Sequence, residues 1–111
     1  MIATVADEPE QTVVSMREDI VTENVEQFRL LIEEVLRRRP GLPVVLDLTD
    51  IDYLCSAGVG VIAGAHRNLK AGRAELIVRN PGERVSRLFM VTRLDTVLRI
   101  VGGSRARHPV K

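Results

Sequence analysis

The chain has 111 residues, 45% of them hydrophobic and 28% charged, with a net charge of +1. That is one domain's worth of sequence with an ordinary globular balance, and it offers no electrostatic case for nucleic acid or an acidic membrane surface as partner. Phe28, Tyr53 and Phe89 are its only aromatics, so the core is aliphatic and base stacking is excluded as a working mode.

In chain order, IATV (2–5) and QTVVSM (11–16) read as two short strands around the polar turn ADEPE, an opening hairpin. Asp7, Glu8 and Glu10 stand where a secretory leader would need a basic start and an apolar run, and no apolar stretch reaches the about 18 residues of a membrane span. A cytoplasmic protein is expected. Val25, Phe28, Leu31, Ile32, Val35 and Leu36 then recur at helical spacing. Asn24 is placed to cap this helix, with Gln27 three residues on in a capping-box-like start. Pro40-Gly41 stops it. Arg37, Arg38 and Arg39 suit the negative end of its dipole; they also suit a phosphate or an acidic partner, and a solvated helix end is the plainer reading.

LPVVLDL (42–48) is a near-continuous apolar run, the mark of a strand covered on both faces. After TDID and the short stretch YL, a helical stripe of Val59, Ile62, Ala63 and Leu69 ends near Ala71-Gly72. AELIV (74–78) reads as a buried strand and NPG (80–82) as a turn. Glu83 to Met90 reads as a short helix with Val85, Leu88 and Phe89 inward, and TVLRIV (96–101) as a last edge strand. From Gly102 the sequence GGSRARHPVK has no pattern and is expected to be a flexible basic tail. The alternation predicts an α/β fold, a mixed sheet of four to five strands with helices packed against it and right-handed crossovers. It forms a single domain over 1–111, with its core from about 11 to 101.

LCSAGVGVIAGAH (54–66) is the stretch that demands a chemical explanation. A nucleophile elbow needs a glycine two residues before the serine, where Leu54 stands, and the histidines are badly placed: His66 is ten residues along the same helix and His108 is in the tail. The glycines do not keep the G-x-G-x-x-G spacing, and no lysine completes a P-loop. One cysteine makes neither an internal disulfide nor a zinc site. Asp47, Asp50 and Asp52 crowd a strand end, which suits a metal or a phospho-aspartate, but strand-end and turn chemistry explains them as well. No cofactor, metal or catalysis is expected.

What remains is Ser56 at the change from loop to helix, where its hydroxyl can be the N-cap. Gly58, Gly60 and Gly64 each cost about 1 kcal/mol relative to alanine inside a helix. Close approach of another backbone, the protein's own or a partner's, is one compensation. Beside two glycines in a first turn, Ser56 is also accessible to another protein's active site. A phosphate there would meet free N–H groups and the positive end of the helix dipole.

The stretch VVLDLTDIDYLCSAGVGVIAGAHRNLKAGRAELIVRNPGERVSRLFMVTRLDTVL resembles the STAS domains, in particular the bacterial anti-sigma factor antagonists. It follows their pattern of strand, D-[ST]-[SA]-G-x-G motif, helix, strand, N-P turn and helix, over most of the chain. The resemblance implies that Ser56 is the phosphoacceptor of an anti-sigma factor of the histidine-kinase-like ATPase type. The unphosphorylated chain would bind that factor and free the sigma factor, and a phosphatase would reset the switch. Asn24, Cys55, Ser56, Ala57, Gly58 and Gly60 would shape the docking surface, on a monomer or weak homodimer that needs neither nucleic acid nor membrane. Two acids usual in the family are replaced. Cys55 stands before the phosphoacceptor, and EDIV, with Glu18 and Val21, stands where G-x-L-D is common. Cys55 invites a redox reading, because a thiol at a helix N-terminus can gain reactivity; a small residue filling the acid's place is the plainer one. The alternative implied by the family is a STAS scaffold that takes no phosphate, in a sensory or lipid-transport assembly.

Overall fold

In the computed structural model, which describes residues 1–103, the opening segment forms a hairpin of β1 (Ala3–Glu8) and β2 (Gln11–Met16). The strands are antiparallel, with Ala3 opposite Met16 and Glu8 opposite Gln11. β1 runs three residues beyond the expected Val5, leaving only Pro9 and Glu10 for the turn. It can carry the polar stretch Ala6-Asp7-Glu8 because it is an edge strand, where acids also discourage pairing with another chain. Helix α1 (Val25–Arg38) follows, and its arginine run has a third role beyond the two expected. Arg38 pairs with Asp7, while Arg39 donates to the Glu8 carbonyl at 2.6 Å and to the Thr12 hydroxyl at 3.2 Å. These two arginines stitch the end of α1 to the hairpin.

The chain continues through β3 (Val44–Asp47), α2 (Ser56–Ala71), β4 (Leu76–Arg79), α3 (Glu83–Val91), a 3-10 turn at Leu94–Thr96, and β5 (Arg99–Val101). Strand order is β1-β2-β3-β4-β5, and every pair after the first is parallel. This is the expected mixed sheet, with five strands. TVLRIV yields only its last three residues to it. The Thr96 hydroxyl donates to the Arg93 carbonyl at 2.7 Å and the Leu98 N–H to the Leu94 carbonyl at 2.8 Å, which holds the preceding residues in a turn.

One register line runs across the sheet through Val14, Leu46, Val78 and Ile100. Each crossover steps one strand in the same direction, so right-handedness places α1, α2 and α3 on one face. Phe28 and Ile32 of α1, Ile62 and Leu69 of α2, and Val85 and Phe89 of α3 close a single core over that line. LPVVLDL is therefore not packed between helices, as its apolar run suggested. Val13 and Val45 face away from the helices, buried but outside the main core, and the Arg79–Asp47 pair lies on their side of the sheet.

Beyond β5, Gly102 and Gly103 take φ of +69° and +97°. A Cβ on Gly102 would lie 2.1 Å from Asn80 Oδ1, which accepts the Gly103 N–H at 3.1 Å. The tail expected to be flexible from 102 thus begins with two fastened residues; its remainder, 104–111, lies outside the described residues.

The parallel strands end on a common edge, and Asp47 ties two of them together there. Burial pushes its carboxyl up. The Thr49 hydroxyl and N–H on Oδ1, at 2.6 and 2.8 Å, and Arg79 on Oδ2, at 2.8 and 2.9 Å, outweigh burial and leave it below the ordinary carboxylate value. A carboxyl with a folded value below its unfolded one adds stability that is present above the unfolded value, about 3.9, and lost as pH falls through the folded one. Asp47→Asn is expected to lower stability at pH 7 by about 1–2 kcal/mol in urea unfolding. It should also lose less than the native chain between pH 6 and pH 3. A variant as stable as the native chain at pH 7 would refute the role given to this carboxylate.

Candidate functional site

The loops that follow β2, β3 and β4 all emerge at the carboxyl edge of the sheet, where open α/β sheets place their binding surfaces. Two of these loops are locked together. Ile20 donates its N–H to the Tyr53 carbonyl at 3.1 Å and accepts the Cys55 N–H at 2.9 Å, making an isolated parallel bridge with Leu54. Asp19 Oδ1 accepts the Asp52 N–H at 2.8 Å. Asn24 fastens the first loop to itself, accepting the Val21 N–H at 2.8 Å and donating to the Asp19 carbonyl at 3.0 Å. Asn24 does occupy the N-cap position of α1, but its side chain is engaged in this loop and makes no cap hydrogen bond, so the capping-box expectation fails.

Helix α2 starts one residue earlier than a serine cap requires. Cys55 is the N-cap, half-buried and with extended backbone, and Ser56 is the first helical residue. Ser56 is exposed, and among the described residues its hydroxyl makes no side-chain hydrogen bond. It is a presented hydroxyl rather than a cap. The acids around it have structural duties: Asp47 serves the strand ends, and Asp50 pairs with Arg17 at 2.6 Å. His66 is half-buried, ten residues or about 15 Å of helix rise from Ser56.

The sequence-derived docking residues divide. Ser56, Ala57 and Gly60 are exposed, Cys55 and Asn24 partly so, and Gly58 is buried. A Cβ on Gly58 would lie 3.1 Å from Ile20 Cγ2 and 3.8 Å from Leu54 Cδ2. Gly58 is therefore a packing position beneath the surface. Its absent side chain is what lets the first turn of α2 rest on Ile20. At Gly60 a Cβ would meet nothing within 4 Å. Together with Ala57, Val61 and Gly64 it borders a groove between α1 and α2.

A second groove, of about 310 Å³, opens beside Ser56. Its other walls are Asp52 and Tyr53 from the loop, and Arg84, Arg87, Leu88 and Val91 from α3. The Arg84 guanidinium lies 5.7 Å from the centre of the Tyr53 ring, a cation–π contact. Sequence reading missed this wall by following only the inward stripe of α3. The signal was its outer face, where Arg84, Arg87, Leu88 and Val91 recur at three- and four-residue spacing. Leu88, expected inward, lines the groove and is half-buried.

A singly wound α/β domain with its distinctive surface at the carboxyl edge is the class that fold and site define. The STAS domain profile matches residues 3–104, and the chain belongs to the STAS domain family. An anti-sigma-B factor antagonist of Listeria monocytogenes is 34% identical over 67 residues, 60% of this chain and 59% of that protein. The match thus spans about three-fifths of that relative's length. Among solved structures, an anti-sigma factor antagonist from Mycobacterium paratuberculosis has a TM-score of 0.80 at 23% identity, over 89% of this chain and 83% of that one. The anti-sigma factor antagonist SpoIIAA in its unphosphorylated form has a TM-score of 0.76 at 20% identity, over 98% and 99%. The phosphorylated form of Bacillus SpoIIAA gives 0.68 at 21%, over 88% and 89%. At these identities the structures establish a shared fold.

The two glycines make opposite expectations. Gly60→Ala should stabilise the chain by about 0.5–1 kcal/mol through helix propensity alone. Gly58→Ala should forfeit that gain against the buried, stiff Ile20, and Gly58→Val should cost about 1–3 kcal/mol. Urea unfolding measures both. Equal gains at the two positions would rule out the contact between Ile20 and α2 as a constraint.

Proposed function

We propose that this chain is an anti-sigma factor antagonist, a non-catalytic binding module switched by phosphorylation of Ser56. The observation that carries the reading is the exposed, unengaged hydroxyl of Ser56 on the first turn of a braced helix. The family membership and the names of its relatives support the role. In the active state the unmodified surface around Ser56, Ala57 and Gly60 docks on the anti-sigma factor and frees the sigma factor. That anti-sigma factor is a histidine-kinase-like ATPase acting on serine, in the cytoplasm. It transfers the γ-phosphoryl of ATP to Ser56 Oγ; the hydroxyl proton is lost and ADP leaves. The phosphate adds about 1.5–2 negative charges at a close interface. Each 1.4 kcal/mol of the resulting repulsion and desolvation lowers affinity about tenfold. A phosphatase restores the hydroxyl.

Cys55, in the place of the family's usual acid, favours one second reading: a STAS scaffold whose serine takes no phosphate. The two readings part on one experiment. Incubated with its cognate anti-sigma factor and ATP, the native chain should gain the mass of one phosphoryl group and dissociate. Ser56→Ala should gain none and stay bound, and Ser56→Glu should bind at least about tenfold more weakly. Unchanged binding for Ser56→Ala and Ser56→Glu alike, with no gain in mass, would reject the switch and leave the scaffold.

A further inference from the structure

The groove beside Ser56 has a charge pattern that docking alone leaves unexplained. The charged groups lining it are Asp52 from the β3–α2 loop and Arg84 and Arg87 from α3. Arg84 has no carboxylate partner within ion-pair distance among the described residues; the Tyr53 ring holds it instead. Arg87 pairs with Glu83 at 3.2 Å, but both side chains are largely exposed and such a pair exchanges readily. Two cations thus share a groove with one acid and a free hydroxyl. One of the cations, Arg84, also lies against a tyrosine ring.

We propose that this groove receives the phosphate of phosphorylated Ser56, with Arg84 as its counter-ion and Arg87 as a second donor. The inference rests on the reading of Ser56 as phosphoacceptor and adds where the phosphate goes. A phosphoserine carries three strong acceptor oxygens, and a planar guanidinium presents paired donors that fit two of them. The cation–π contact with Tyr53 restricts Arg84 before the phosphate arrives, so less side-chain freedom is lost when the pair forms. The consequence is a switch with two effects. Phosphate at Ser56 repels an acidic partner surface, and it also occupies the cations that the unmodified groove would offer to that surface. The groove changes from net positive to net negative without a change of fold.

The test installs phosphoserine at position 56 during synthesis, so its outcome does not depend on any kinase. A failed kinase assay and a failed groove are then separate results. The phosphorus resonance is followed by 31P NMR from pH 4.5 to 8. In the native background its titration midpoint is expected at least about 0.5 below the value near 6 of a free phosphoserine, because a neighbouring cation favours the dianion. Arg84→Gln should raise the midpoint towards about 6, Arg84→Lys should keep more of the lowering, and Arg87→Gln should have a smaller effect. Tyr53→Leu, which removes the supporting ring and keeps both cations, should raise the midpoint by less than Arg84→Gln does. Arg84 and Arg87 are exposed, and thermal melts verify that each variant is folded. Identical midpoints in the native background and in Arg84→Gln would overturn the proposal.

Discussion

Ile20 is gripped from two sides. Its backbone N–H and carbonyl are bonded to Tyr53 and Cys55, and its fully buried side chain fills the space that Gly58 leaves open. Through this residue the loop after β2, the loop after β3 and the first turn of α2 become one rigid plate. The plate is needed because the approach to Ser56 has little regular structure. Between Asp47 and Ser56 the chain forms no helix or strand, and it is held by the Ile20–Leu54 bridge, the bonds of Asp47, the Arg17–Asp50 pair and the Asp52 N–H on Asp19. Asn24 and Asp19 serve the plate from below, one ordering the first loop and the other holding the Asp52 N–H.

The arrangement suits regulation at a surface. The hydroxyl stands on a part of the molecule that is already fixed, so added charge has no slack loop to rearrange. The core beneath is closed by all three helices over one face of the sheet, and no residue of that core is a charged one. A phosphate at Ser56, as proposed, would act on what approaches the carboxyl edge, by repulsion, by desolvation and by engaging the arginines of α3. Affinity for a partner can fall by orders of magnitude while the stability of the domain changes little.

The alternation of strands and helices was legible in the sequence because each element carries its own period, and so the fold followed from local pattern and the handedness of crossovers. The place of Ser56 at the change from loop to helix was legible as well. What was missed involves contacts between residues far apart in the chain. Arg39 reaches Glu8, Asp52 meets Asp19, and Arg84 contacts the Tyr53 ring, each separated by about 30 residues, and no local periodicity reports such pairs. The cap assignments failed for a related reason. Asn24 and Ser56 are good cap residue types, but Asn24 is recruited by its own loop and the bridge at Ile20 sets the start of α2 at Cys55. Of the three glycines expected to mark close approach of another backbone, Gly58 meets a side chain instead and Gly60 meets nothing within 4 Å. Only the structure shows that the approaching group is the chain's own Ile20 and not a partner.

The most direct measurement is a comparison of backbone amide NMR spectra for the unmodified chain and the chain carrying phosphoserine at 56. If charge at this position acts on a surface fixed by Ile20, the shifts will be confined to the first turn of α2, residues 52–55 and the outer face of α3. The amides of Val14, Leu46 and Val78 in the middle of the sheet will stay where they are. Shifts that spread through those strands, or loss of the Ile20–Cys55 hydrogen bond, would show that the modification remodels the fold, and the surface switch would have to be abandoned.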